Sequence, residues 1–378
     1  MCHAMLNKEP KVRVGIMTAP MIEARFLGGD NAMFELPGVT IGKKFHWERQ
    51  QTQRFGGELE IMRHPDGTLT AINIIGTEEY LKSVIGSEMS AQSPIELLKA
   101  HAVISRSWLM AQIRRDLRHN GTPVSDAENR WKEEGVIIDW QDREDHRGFD
   151  VCADDHCQRY QGIAETASQE PAVEAIMATR GEVLTYNNKI CDTRFSKCCG
   201  GITEDFAVCW EPRRHPYLTS VADPYCAEAT PEILERTLNG YDREDSATFR
   251  WTTDYKTGEL EELLKQRSGT DFGEITELNA LRRGMSGRIY LLEIIGTLNR
   301  QIIGKELTIR RWLSRTHLKS SAFEATRRKD GGWHLEGRGW GHGVGLCQIG
   351  AAVMACKGFT YQQILSHYYS GAIIEKLY

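Results

Sequence analysis

Between His146 and Cys157 the segment HRGFDVCADDHC holds two imidazoles and two thiols, on His146, Cys152, His156 and Cys157. Two thiolates and two imidazoles suit a tetrahedral zinc site. The spacing matches no common zinc-finger pattern, so a Cys152–Cys157 disulfide and free thiols remain open readings. Glu88, in SVIGSEMSAQS, offers different chemistry. It stands where two helical patterns meet, flanked by Ile85 and Met89. A carboxyl in apolar surroundings keeps its proton to higher pH and can act as a general acid; the bland role of a junction glutamate is capping or solvation. On the following helix Lys99 and Arg106 lie two turns apart and share a face. That face is either solvated or a cationic wall for an anionic ligand.

The stretch GRGWGHGVGLCQIGAA (337–352) has glycine at every second position from Gly337 to Gly345, with Arg338, Trp340, His342 and Val344 between. If it is extended, one face is bare hydrogen and the other carries Arg, indole, imidazole and an aliphatic. Glycine weakens a strand and marks close approach. The stretch therefore reads as a wall of a substrate cleft or as a glycine-rich core strand. His342 and Cys347 resemble a base and nucleophile by type, but no orienting Asn or Asp is evident and Cys347 opens a helical pattern. Trp340, with Tyr368 and Tyr369, can stack on sugar faces or fill a core. Cys198 and Cys199 are adjacent; one of them can bridge to Cys209 or Cys226, or all can be buried thiols.

The elements that must position these groups are partly readable. KVRVGI (11–16) is a strand, and LEIMRHPDGTLTAINI (59–74) a hairpin around Pro-Asp-Gly. Residues 78–88 form a helix with Tyr80, Val84 and Ile85 on one stripe. Ser93 and Pro94 open a second helix that runs to about Leu117. Residues 118–150 read as polar loop and 227–250 as an acidic connection. Strands are expected at 181–186, 190–196 and 286–296, a strand and helix over 249–267, and helices at 348–356 and 360–369. Strands and helices mix without regular βαβ alternation, which predicts α+β, with largely antiparallel sheets around a helical catalytic segment.

Composition bounds the function. The 378 residues are 40% hydrophobic and 26% charged, as in soluble globular proteins. A net charge of −5 argues against non-specific nucleic-acid binding, and no apolar run approaches a membrane span. Ten cysteines point to metal or disulfide chemistry and an exported protein. The N-terminal residues lack an apolar core with a cleavage site, so a signal peptide is expected to have been removed.

Taken together, TEEYLKSVIGSEMS, IELLKAHAVISRSW and GRGWGHGVGLCQIGAAVMACKGFTYQQILSHYYSGAII resemble the signatures of the stage II sporulation protein D family. FSKCCGGITE, HPYLTSVAD, SGRIYLLEIIG and LKSSAF are similar to family blocks and stand in the expected order. The family includes amidase enhancers and peptidoglycan lytic transglycosylases. The resemblance spans 57–378, with a β-rich segment before it (1–56) and a candidate β-rich subdomain at 230–330 within it.

The resemblance implies cleavage of the β-1,4 bond after N-acetylmuramic acid in peptide-stripped glycan strands, with Glu88 as acid/base. It implies substrate contacts from Lys99, Arg106, Arg338, Trp340, His342, Gln348 and Tyr368. Some members hold zinc through a His/Cys cluster, which His146, Cys152, His156 and Cys157 match by type. The implied partners are glycan strands and a cell-wall amidase, the implied location the cell envelope, either periplasm or outer surface. The alternative is a non-catalytic wall-binding activator of an amidase. Three positions depart from the family pattern: His101 where Gln is frequent, Cys347 where Ser is common, and Ser90 where Pro often follows.

Overall fold

A computed structural model describes residues 6–28, 33–43, 47–119, 130–140, 146, 148–155, 157–163, 169–244 and 247–378. Strand Lys11–Ala19 alternates buried Val12 and Val14 with outward residues and pairs antiparallel with Leu69–Gly76. Glu58–Arg63 continues the sheet on one side; Val151–Cys152 adds in parallel on the other. Residues before 57 therefore share one sheet with residues after it. A second hairpin, Met33–Ile41 with Arg49–Gly56, packs Phe34 and Phe55 into the same core.

Helix Thr77–Glu88 buries Tyr80, Leu81, Val84 and Ile85 against these sheets. Helix Ile95–His119 follows. Its Leu98, Ala102 and Leu109 face that first core, while Leu97, Ala100, Val103 and Ile104 face a second. A helix that packs on both sides reads as apolar all round. The second core gathers the cysteine-rich segments with helices Gln348–Cys356 and Tyr361–Tyr368. The capping box of the last helix, Thr360 with Gln363, fixes its start.

A third core lies within a β-rich unit. Strands Ile275–Arg283, Ile289–Gly296 and Arg300–Gly304 form an antiparallel meander, extended by Val136–Asp139 and Arg130–Glu133. Beside it Trp333–Arg338 lies between Arg250–Tyr255 and Phe323–Arg327. The class is α+β with mostly antiparallel sheets. Two expected loops are corrected. Strands Arg130–Glu133 and Val136–Asp139 lie inside 118–150, four-residue runs too short to show a period among polar neighbours. Residues 227–250 carry helices Pro231–Thr237 and Gly240–Arg243, each started by a side-chain cap, Thr230 and Asn239.

Candidate active site

Glu88 is the last residue of its helix; Met89 turns extended and leaves the helix carbonyls exposed. Two side chains satisfy them. Asn239 Nδ2 donates to Ser87 O at 2.7 Å, and Lys197 Nζ donates to Glu88 O at 2.9 Å. A cation at a helix C-terminus is favourable twice over, as donor and as charge. The Glu88 carboxylate accepts the backbone N–H of Arg159 at 3.0 Å. The Arg159 guanidinium pairs with Asp155 and with Asp242 (3.2 Å) and lies 4.7 Å from the Trp47 ring. Lys197 Nζ sits 2.6 Å from the same Asp242. The expected apolar setting of Glu88 is thus corrected: Ile85 and Met89 are buried in the cores, and the carboxylate faces a charged network.

The network sets its members' ionisation. Burial raises Asp242, but the Lys197 and Arg159 charges overcome it and hold the carboxyl below its ordinary range. Asp155 is raised by burial, with Arg159 opposing and the Glu88 charge adding. Asp155 is a second carboxyl close enough to feel Glu88, and both line one cleft of about 430 Å³. The same cleft is lined by Trp47, Trp108, Ser196, Lys197, Trp340, His342 and Gln348, and by Cys152 and Cys157. Ser196 Oγ is buried with no hydrogen-bond partner among the described residues.

The glycine stretch is not one extended strand. Regular pairing stops at Arg338, and Gly339, Gly341, Gly343 and Gly345 adopt φ of +76°, +94°, +78° and +71°. Left-handed backbone at alternate positions makes a winding loop that L side chains resist. Close approach requires glycine as well: a Cβ on Gly345 would lie 2.0 Å from Arg194 O, and one on Gly343 2.5 Å from the Arg288 guanidinium. Arg288 is fully buried and donates to Gly341 O, Cys199 O and Ser286 Oγ. The bare face of the loop therefore packs on a buried cation, and its other face presents Trp340 and His342 to the cleft.

His342 Nδ1 accepts from the Val344 amide at 3.0 Å, and its ring meets Trp210 edge-on at 4.8 Å. Burial, then the charges of Arg194, Arg288 and Arg310, push it well below the ordinary imidazole range, so it is neutral at neutral pH. Cys347 points its thiol at the Cys199 and Gly350 amides, and burial pushes it up to about 12. A His342–Cys347 catalytic pair does not form.

Of the expected binding residues, Trp340, His342 and Gln348 share the cleft with Glu88; Gln348 is fixed by His101 at 2.8 Å. Arg338 lines a neighbouring groove of about 1070 Å³, which Trp340 also borders, and donates to Ser286 O. The other three lie elsewhere. Arg106 is fully buried between two cores and pairs with Glu78 at 2.7 Å. Tyr368 is buried and donates to Asp223 Oδ2. Lys99 pairs with Glu96 one turn back and is absent from the cleft lining.

His146, Cys152 and Cys157 bring their donor atoms within 4.8 Å of one another, at the cleft edge; His146 Nε2 lies 3.2 Å from Cys157 Sγ. Cys152 is carried there by its strand, paired beside Gly15. His156 lies outside the described residues. A second group that can bind a metal, Cys199, Asp223, Cys226 and Cys347, is buried. Cys191, Cys198, Cys199, Cys209, Cys226 and Cys347 carry thiols, not disulfides. The sequence reading missed Asp155, Arg159, Lys197, Asp242 and Arg288. Asp155 and Arg159 lie inside or beside the His/Cys segment, which was their one signal; Asp242 sits in the stretch read as a connection.

The sequence is similar to known proteins. A family model described as stage II sporulation protein matches residues 65–186, and a domain of unknown function matches 204–345. An uncharacterized protein of Brachyspira hyodysenteriae is 30% identical over 324 residues, 84% of this chain and 71% of its own length. Stage II sporulation protein D of Bacillus subtilis is 25% identical over 307 residues, 81% of this chain and 76% of its own. The amidase enhancer of the same organism is 24% identical over 322 residues, 78% of this chain but 40% of its own length.

Proposed function

The chain belongs to the stage II sporulation protein D family, and from that premise we propose that it is an exported peptidoglycan lytic transglycosylase of the cell envelope. Its substrate is the peptide-stripped glycan strand, cut at the MurNAc–GlcNAc β-1,4 bond. The observation that carries this reading is Glu88, held by a backbone amide in a cleft that the half-buried indole of Trp340 also lines. Indole faces suit sugar rings.

Glu88 in its acid form protonates the leaving glycosidic oxygen. It then takes the proton of the muramic acid C6 hydroxyl as that oxygen closes on C1, giving the 1,6-anhydro ring. One carboxyl suffices, because the substrate supplies its own nucleophile. A hydrolase would need a second carboxylate to activate water or attack the sugar. Asp155 is a carboxyl in the same cleft, committed to Arg159.

His146, Cys152 and Cys157 fit zinc by donor type and convergence, with His156 the fourth candidate ligand. The ion would brace the loop that carries Asp155 and Arg159 beside Glu88; this chemistry needs no metal-activated water.

The second reading is a non-catalytic activator of a cell-wall amidase, favoured by the likeness to a protein named amidase enhancer. Digestion of peptide-stripped strands by the wild type and by Glu88→Gln, read by mass spectrometry, separates the two. Anhydro-terminated fragments from the wild type alone support the transglycosylase. Reducing-end products mean a hydrolase. No cleavage with retained glycan binding supports the activator.

A further inference from the structure

Cys199 lies in the turn after strand Phe195–Ser196, Asp223 and Cys226 lie at the short helix Tyr225–Glu228, and Cys347 caps helix Gln348–Cys356. These three parts of the chain meet in the second core, and all four side chains are at most 1% exposed. Their donor atoms lie within 4.8 Å of one another, and Cys199 Sγ is 3.6 Å from Cys226 Sγ. Sulfurs on one tetrahedral zinc, with bonds of about 2.3 Å, stand about 3.7 Å apart.

The surroundings are built for anions. The amides of Cys199 and Gly350 donate to Cys347 Sγ at 3.2 and 3.4 Å. The amides of Tyr225 and Cys226 and the Tyr368 hydroxyl donate to the Asp223 carboxylate. Such outer donors orient metal ligands and favour thiolate and carboxylate over their protonated forms. Gly350 has no room for a side chain, since its Cβ would lie 2.3 Å from Asp223 Oδ2 and 2.4 Å from the Tyr368 hydroxyl. Three sulfurs and a carboxyl group converging in one core are a donor set that suits a divalent cation such as zinc.

We propose that Cys199, Asp223, Cys226 and Cys347 form a closed, structural metal site of the zinc type, separate from the His146, Cys152 and Cys157 cluster. All four positions are protein ligands, so the ion has no open place for substrate water. It staples the turn after Ser196, the Asp223 segment and the helix that begins with Gln348. Two of those carry cleft residues, so the site fixes one wall of the cleft from behind. Tyr368 is then part of the ligand support. A Cys199–Cys226 disulfide is the rival, and it would leave Asp223 and Cys347, with their donors, without a purpose.

The test uses the full chain purified under reducing conditions without chelator. A His146→Ala/Cys152→Ser/Cys157→Ser variant removes the other cluster. Elemental analysis of that variant is expected to retain about one equivalent of zinc per chain, and further Cys226→Ser to lose it. A folded triple variant without metal overturns the proposal. Should those variants not fold, alkylation of the wild type mapped by peptide mass spectrometry decides. Cys199, Cys226 and Cys347 are expected to be protected together and to become reactive together once a strong chelator is added. Protection that a chelator does not alter, or a native Cys199–Cys226 bridged peptide, overturns it.

Discussion

The backbone amide of Arg159 donates to Glu88 Oε1 at 3.0 Å while its guanidinium turns away to Asp155 and Asp242. Glu88 thus gains an oriented backbone donor, while the guanidinium's own bonds go to the two aspartates. Asp242 is the hub, because Lys197 and Arg159 both rest on it. Removing one partner of a buried pair leaves uncompensated charge, at about 3 kcal/mol or more. Asp242→Asn is expected to lower the unfolding free energy read from urea denaturation by that amount and to cut glycan cleavage further than the stability loss explains. Adding Lys197→Met should restore part of the stability. An unchanged midpoint in Asp242→Asn would remove the hub role.

The glycine loop gives a second expectation. Gly343 and Gly358 both adopt positive φ, +78° and +87°. A Cβ on Gly358 meets nothing within 4 Å, whereas one on Gly343 meets the Arg288 guanidinium. Gly358→Ala should cost about 1 kcal/mol, the backbone strain alone. Gly343→Ala should cost about 2–4 kcal/mol, since overpacking adds to strain. Equal costs in chemical denaturation would mean that Arg288 yields and does not brace the loop.

Much of this was legible in the sequence where a local period reports it. Tyr80, Val84 and Ile85 recur at helical spacing, and that helix ends at Glu88 as expected. The His/Cys segment announced its donors by type, and three of them converge. The failures share one cause: pattern describes a segment, not its neighbours. Lys197 reaches the Glu88 carbonyl across 109 positions. Lys99 and Arg106 do share the helix, but that helix packs on both sides, so the interior cation found Glu78 instead of solvent. Alternating glycine read as a pleated strand, because sequence does not show the sign of φ.

Arg106 gives a third expectation, of stability and not of substrate affinity. Burial would raise Glu78, but the Arg106 hydrogen bonds and charge outweigh it and hold the carboxyl below its ordinary range. A carboxyl depressed on folding stabilises above its unfolded pKa, and that stability drains as pH falls through the folded value. Arg106→Gln is expected to cost about 3–5 kcal/mol at neutral pH, with the glycan affinity of the folded fraction unchanged. Thermal unfolding from pH 6 downward should show a smaller acid loss in Arg106→Met/Glu78→Met than in the wild type. A change of affinity without change of melting would restore Arg106 to the binding surface.

His101 gives the last. It is fully buried, bonded to Gln348 at 2.8 Å and to Ser105 at 3.1 Å, and pushed down to about 3 by burial, with the Lys197 charge adding. The unfolded chain binds a proton at this residue near pH 6.5, and the folded chain does not. Folding is therefore fully supported above about pH 6.5 and weakens as pH falls from there toward about 3, the opposite limb from a histidine that gains an acidic partner. His101→Gln keeps a polar side chain beside Gln348 and has no proton to bind. The variant is expected to flatten the stability profile between about pH 6.5 and 5, where most carboxylates have yet to titrate. Parallel wild-type and variant profiles over that interval would mean that His101 is protonated in the fold, and that Gln348 accepts from it at the cleft floor.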